Sequence, residues 1–563
     1  MLYQYRRKSL RGFCDIMLCR RVYLLPVVAL LFLFLASNTA GQHFRYEPED
    51  WQYIPGTATT TSASEGPDGI YFSTFDGLLY FDYYTQSLDH LPEINVGLPS
   101  HHLYHVYHDA STNALWVIYG DGIAFRLSTD DTWQQVPFRS LPDYFQGRSV
   151  LRVGGTFDGI WIDMDGVYTL LNSFTGEFMR RDIAGPDGPV DWNTSRAAFL
   201  EPPDLLGWIT TGQWSTNIRE FLGPGYLSAI PTFVFHDRDN RFWYGTDLGT
   251  LFRGDLHTRH LEYFQAGIAP KPVITLFLDG DRVWFADNAF RREGIRYTRK
   301  TGYFLSAWDE DVSSWRYYSG LLSEAIRDVR VNAMLRVGRQ LWLATMDGIV
   351  LLDTRTENWG FIGSKAGLRD RAVWDIERHG EEIFAATVHG VDRISPATHQ
   401  VIPDDSLSIS PVVEVYTLFS TGQVLYAGTA DGIYAYQNDS PIKWWRVSNL
   451  PATSLWHDKG DIFVVANNYI YHRGPNDRDF TLYPLQLSSE AKILEIKGYR
   501  SYIWLATSRG AVLYDRRTRS RFAFGRNEGL PSDVVYAVEP GADWVWFLTS
   551  DGIVRFNWRA YFD

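Results

Sequence analysis

The chain alternates short apolar runs with breaks at Gly or Asp-Gly, and long helical periodicities are nearly absent. Leu341-Trp342-Leu343-Ala344-Thr345 is one such run, and Ile349-Val350-Leu351-Leu352 resumes it after a break. Continuous apolar runs of this length predict strands covered on both faces. Asp347-Gly348 predicts a two-residue hairpin reversal, because both central residues must tolerate positive φ. Variants of this unit recur along the chain. Ile70 to Thr74 precede Asp76-Gly77, Trp116 precedes Asp121-Gly122, and Trp161 precedes Asp165-Gly166. Trp243, Trp284, Phe384, Tyr426, Phe463, Trp504 and Trp546 mark later copies, while Gly207-Trp208-Ile209-Thr210-Thr211 is a degenerate one.

About twelve copies can be followed, their aromatic positions mostly 35 to 47 residues apart. Each period adds a strand before the hairpin, such as Val534 to Val538, and one after, such as Arg521 to Phe524. Four short strands per period predict an all-β chain of β-propeller blades. Twelve blades exceed the usual four to eight of one ring, so two propellers are expected. The long gap from Trp284 to Trp342 is a candidate boundary, dividing the blades into residues 41–320 and 321–563, six plus six. The last unit ends near Asn557 without a fourth strand, and Trp51-Gln52-Tyr53-Ile54 precedes the first blade without partners. Residues 51–54 are therefore expected to close the last blade, joining it to the first and removing an exposed edge. The second ring would then be inserted mid-chain.

Glu528-Gly529-Leu530-Pro531-Ser532-Asp533-Val534-Val535-Tyr536, followed by Trp544 to Ile553, resembles a repeat of the two-component-regulator propeller family. Gly97-Leu98-Pro99-Ser100-His101 and Gly367-Leu368-Arg369-Asp370 echo it. The resemblance implies a periplasmic, sensor-like double propeller of the kind found in hybrid histidine kinases. No transmembrane helix, immunoglobulin-like linker or kinase follows the repeats here, so a free-standing exported propeller is expected. Double propellers of similar repeats also occur in a surface component of the type IX secretion system, whose C-terminal sorting domain this sequence lacks. A scaffold subunit of such a cell-envelope assembly is accordingly an alternative.

Arg20-Arg21 before the apolar run Val22 to Ala36, then Ser37 to Gln42, mark residues 1–40 as a signal peptide. Export to the periplasm or cell surface of a Gram-negative bacterium follows, with membrane contact only through the leader if uncleaved. Both cysteines, Cys14 and Cys19, lie in the leader, so the mature chain has no disulfide or thiolate chemistry. Six of the basic residues and one acid also lie there, and removing them takes the formal charge of −13 to about −18. That excess of acid argues against nucleic acid as a partner.

Familiar catalytic and cofactor motifs are absent from the sequence, and no cofactor or metal is expected. His101, His102, His105 and His108 cluster on one strand, but alternate faces give poor metal geometry. The irregular stretch 288–318 is expected to protrude as an insertion. Its Arg291, Arg292, Trp308, Asp309 and Trp315 are the candidate binding residues, of types that hold glycans or protein partners. The leading expectation is a non-enzymatic platform for a small molecule, glycan or envelope protein. A lyase or glycosidase acting on polysaccharide is the less favoured alternative and would need convergent carboxylates or a Tyr/His pair.

Overall fold

The computed structural model describes residues 46–562 apart from short stretches, of which 320–329 and 404–412 are the longest. The leader, its cleavage site and both cysteines lie outside the described residues. The described chain is all-β, built mainly from four-stranded antiparallel sheets like propeller blades. The Trp342 sheet is typical, with Val331–Val337, Gln340–Thr345, Gly348–Asp353 and Trp359–Ile362 in order from the inner strand outward. Each sheet below is named by the aromatic residue of its second strand.

The middle strands are buried along almost their whole length because alternate residues face different neighbours. Leu341 and Leu343 pack against the Trp284 sheet, whereas Trp342 and Ala344 pack against Ile376, Ile383 and Ala385 of the following sheet. The core therefore lies between sheets, so strict polar alternation has no place in these strands. Outer strands such as Arg521–Phe524 recover it, with one face exposed.

The hairpin turn differs from expectation by one residue. Thr345 pairs with Gly348, so Met346 and Asp347 form the reversal and the glycine opens the next strand. Only Gly348 takes a positive φ, at 90°. A Cβ there would stand 2.5 Å from the Ile362 carbonyl oxygen. The Thr345 hydroxyl accepts the Asp347 N–H at 3.1 Å and donates to the Gly348 carbonyl at 2.8 Å. Thr74, Thr387, Thr507 and Thr549 repeat this clasp. The Gly348 N–H reaches the Arg371 carbonyl, and that of Gly77 reaches His101, which ties each turn to the segment leading into the next sheet.

Seven inner strands follow one another in a closed circuit. In order they belong to the Trp284, Trp342, Phe384, Tyr426, Phe463, Trp504 and Trp546 sheets, and the last runs beside the first. Trp51–Ile54 is the fourth strand of the Trp546 sheet, pairing Trp51 with Phe556 and Ile54 with Ile553. The sheet that completes the circuit beside it is the Trp284 sheet, where the first blade was expected.

The Phe72, Trp116, Trp161 and Trp243 sheets are threaded between that closing strand and the Trp284 sheet. The outward and return crossings bond to each other: Thr57 N–H donates to Ile268 and Ile268 N–H to Pro55. Inner strands of these four sheets lie in the order Trp243, Phe72, Trp116, Trp161. Residues 191–195 run along them, Asp191–Trp192 on Arg152–Thr156 and Thr194–Ser195 on Thr60–Glu65. Asn193 joins the set by accepting from Val153 N–H and donating to the Val106 carbonyl, both at 2.9 Å. Residues 191–195 thus bridge the inner strands of the Phe72, Trp116 and Trp161 sheets. The degenerate unit at Trp208 is not a blade hairpin: Ile209–Thr210 adds in parallel to the outer strand of the Trp243 sheet.

Candidate functional site

The seven-strand circuit encloses a cavity of 690 Å³ lined by residues from all seven inner strands. Its geometry begins with a β-bulge near the start of six of these strands, all but Ser454–Asp458. Ladder register slips between Val331 and Ala333, Val373 and Asp375, Val415 and Thr417, Ile493 and Glu495, and Val535 and Ala537. A bulge re-aims the residues beside it. Here it frees polar side chains to bond the neighbouring inner strand. Thr275 donates to the Val331 carbonyl at 2.7 Å and Asn332 to the Val373 carbonyl at 2.8 Å. Asp375 accepts the Leu418 N–H at 2.8 Å, and Glu495 accepts the Val538 N–H at 3.0 Å.

Two residues beyond these carboxylates stand Glu377 and Lys497, on the same strand faces. Glu539 completes the charged wall, 3.4 Å from the Lys497 ammonium. Burial pushes the Asp375 carboxyl up to about 6, against its two N–H bonds and Lys497. Burial, reinforced by Asp375, takes Glu377 to about 8. Burial likewise takes Glu495 to about 7, against Lys497. Lys497 itself is held above the usual ammonium range by Glu539 first, then Glu495 and Asp375. The Ser420 backbone links two further groups: its N–H bonds Glu377, and its carbonyl accepts His457 Nε2–H at 3.0 Å. His457 Nδ1 and Trp374 Nε1 are buried without a partner among the described residues.

The inner strands between these groups add Phe277, Leu335, Tyr416 and Trp456 to the lining. A cavity that mixes aromatic and apolar side chains with one cation and carboxyls whose hold on the proton is strengthened suits an uncharged or amine-bearing organic ligand with several hydroxyl groups. Among the described residues, no group of three His, Asp or Glu side chains is placed to hold a metal ion.

The residues singled out from sequence lie elsewhere. Trp308 and Trp315 occupy paired positions on Tyr303–Asp309 and Ser314–Ser319, regular outer strands of the Trp284 sheet, and their rings stack at 5.8 Å. The expected irregular insertion is thus largely sheet. Trp308 is buried, with the Arg555 guanidinium 4.9 Å from its ring centre, and Asp309 pairs with Arg282 at 2.9 Å. Trp315 packs against the cores around both Phe72 and Trp546, at the joint between the two sets of sheets. Arg291 and Arg292 lie on the hairpin strand Phe290–Glu293, and their side chains fall outside the described residues. The histidines are spread out: His101 stacks on Tyr53, His102 on Phe75, His105 bonds the Val150 carbonyl, and His108 bonds Asn113.

What sequence reasoning missed is the set Asp375, Glu377, Glu495, Lys497 and Glu539. Its signal was available: Trp374-Asp375-Ile376-Glu377 and Leu494-Glu495-Ile496-Lys497 alternate charged and apolar residues in strands that should be innermost.

No family model and no curated protein matches the chain. Solved structures similar to it include the extracellular domain of the putative hybrid two-component system BT3049 from B. thetaiotaomicron. It is 17% identical, covers 89% of this chain and 68% of that one, and has a TM-score of 0.41. The corresponding domain of BT4673 from the same organism is 13% identical over 88% and 69%, with a TM-score of 0.42. PorZ, a surface component of the type-IX secretion system of Porphyromonas gingivalis, is 11% identical over 90% and 87%, with a TM-score of 0.38. Extracellular domains of two-component systems, the class that the repeat motif resembles, are thus among them.

Proposed function

We propose that the chain is an exported, non-enzymatic sensor-type protein built from two propeller arrays. The larger is a seven-bladed ring that binds a small polyhydroxylated or amine-bearing ligand at its centre. The smaller is inserted after the closing strand, is bridged across its inner strands by residues 191–195, and serves as a platform beside the ring. The cavity with its Lys497–Glu539 pair carries this reading, because a closed ring has no structural need for charge at its centre. The apolar run and basic flank of residues 1–40 support export.

The test is a thermal-shift screen of residues 41–563 against neutral oligosaccharides and polyamines, followed by calorimetry on any hit. A hit should lose affinity in both Lys497→Met and Glu377→Gln while Arg519→Ser leaves it unchanged. Indifference to both channel variants would remove the ring centre as the site.

A second reading is favoured by one specific observation. Glu377, raised to about 8, and Glu495, raised to about 7, have the protonation a general acid needs near neutral pH. Release of reducing ends from a polysaccharide by the wild type, silenced in Glu377→Gln, would replace the non-enzymatic reading with a glycosidase.

A further inference from the structure

A second concavity, of 960 Å³, lies between the Phe463 and Trp504 sheets, away from the ring centre. Three turns build it, around Lys459, Arg500 and Arg519. Its floor is aromatic: Phe463 lies 4.7 Å from His472 and 5.3 Å from Tyr483, and Tyr483 lies 5.8 Å from Tyr514. Arg516 is fixed over Phe463 and pairs with Asp458 and Asp461. That pairing consumes the local acids. Lys459, Arg500 and Arg519 are exposed at the rim and make no ion pair among the described residues. In a chain of net charge −13, three unneutralised cations around one groove are a local reversal of sign.

For Lys459 and Arg500 the backbone shows that turn formation does not explain the choice of residue. Lys459 and Arg500 sit in the turn between first and second strands with φ of 49° and 54°. The same turn in the Trp284, Trp342 and Phe384 sheets uses Gly280, Gly338 and Gly380, at φ of 64°, 58° and 63°. In the smaller array it uses Asn113 and Asn240, which tolerate this region better than most residues. A long side chain there is strained, and two adjacent sheets accept that strain with a cation each.

We propose that this groove binds an acidic polysaccharide. Its carboxylate or sulfate groups are held by Lys459, Arg500 and Arg519, and its sugar rings lie against His472 and Tyr483. Guanidinium groups match planar oxyanions in pairs of hydrogen bonds, and ring faces take the apolar side of a pyranose. An acidic peptide would satisfy the cations and leave the aromatic floor unused.

Calorimetry on residues 41–563 with polygalacturonate, dextran sulfate, neutral dextran and polyglutamate tests this. At least one acidic polysaccharide should bind, with affinity falling as salt rises, and dextran should not. The double variant Lys459→Gly/Arg500→Gly should weaken that binding roughly tenfold or more, a loss of one charged contact or more. Its melting temperature should equal or exceed that of the wild type, because glycine relieves the strain. Arg519→Ser supplies an independent second variant with the same expected loss. Failure of both acidic polysaccharides to bind, or binding unchanged in these variants, overturns the proposal. Polyglutamate binding as tightly as the polysaccharides overturns it in favour of an acidic protein partner.

Discussion

Removing Trp51 should open the ring at the one place where it is closed by a distant segment. The side chain is 1% exposed and lies 4.5 Å from Phe556 and 6.0 Å from Phe547, stacked on both, with Phe524 edge-on at 6.3 Å. Gly529, at φ 120°, lets the backbone approach so closely that a Cβ would stand 2.6 Å from the indole. A pocket bounded by three rings and a backbone cannot collapse onto an alanine. Trp51→Ala should therefore cost about 3–5 kcal/mol, toward the upper end of that range.

The loss should also be directional. Trp51–Ile54 is held to the Trp546 sheet by four paired residues, and nothing covalent replaces it if it detaches. Urea unfolding would give the magnitude, and native-state hydrogen exchange the location. Protection should fall first in Gly552–Phe556 and then across the boundary in Val273–Asp279. Trp342→Ala, which empties an equally buried site facing the Phe384 sheet and away from the closing strand, serves as the control and should leave the boundary between the Trp546 and Trp284 sheets protected. A shift under about 1 kcal/mol, or equal protection at that boundary in both variants, would refute the closing role.

Gly348→Ala should cost about 2–4 kcal/mol, since its Cβ meets a carbonyl at positive φ, whereas Gly338→Ala, with open space around it, should cost about 1 kcal/mol; chemical denaturation of both that gave equal costs would refute the turn geometry. His105 is 2% exposed and burial takes it down to about 4 from 6.5, so its stabilising contribution is complete above 6.5 and is lost as pH falls toward 4. Between pH 7 and 5 the wild type should lose about 2 kcal/mol more than His105→Gln, and parallel pH profiles would contradict this.

The repeat, its strands and the closing segment were legible because packing between sheets demands apolar runs and large aromatics at fixed intervals. Trp342 and Trp504 are fully buried for that reason. The order in which inner strands neighbour one another was not legible. The long gap between Trp284 and Trp342 arises partly from the hairpin Phe290–Glu293 with Arg296–Arg299, inserted within one sheet. The crossing from the closing strand to the Phe72 sheet, and the return to the Trp284 sheet, are marked by Pro55-Gly56 and by Gly267, at φ 95°, whose Cβ would meet the Pro55 carbonyl oxygen at 2.5 Å. Such a close approach depends on residues more than two hundred positions apart. The hairpin was misread by one residue because Asp-Gly also fits a turn in which only the glycine needs positive φ.

The charged channel poses a sharper question, whether Asp375 and Glu495 exist to join blades or to meet a ligand. The inter-blade bond needs no charge. Thr275 makes one with a hydroxyl, and Ser454 accepts the Ile496 N–H at 3.3 Å. A carboxyl in the same role is costly, as the upward displacement of Asp375 to about 6 and Glu495 to about 7 records. In each, the folded state keeps its proton at a pH where the unfolded chain has lost it. Their contribution to stability is complete below the unfolded values near 4 and is lost as pH rises through 6 and 7. Asp375→Thr with Glu495→Thr keeps an oxygen at both positions and removes that loss. The double variant should gain on the wild type as pH rises from 5 to 8 in urea unfolding, while ligand affinity at the ring centre falls. A stability difference that does not change with pH would mean the carboxyls are ordinary, and that joining the blades is all they do.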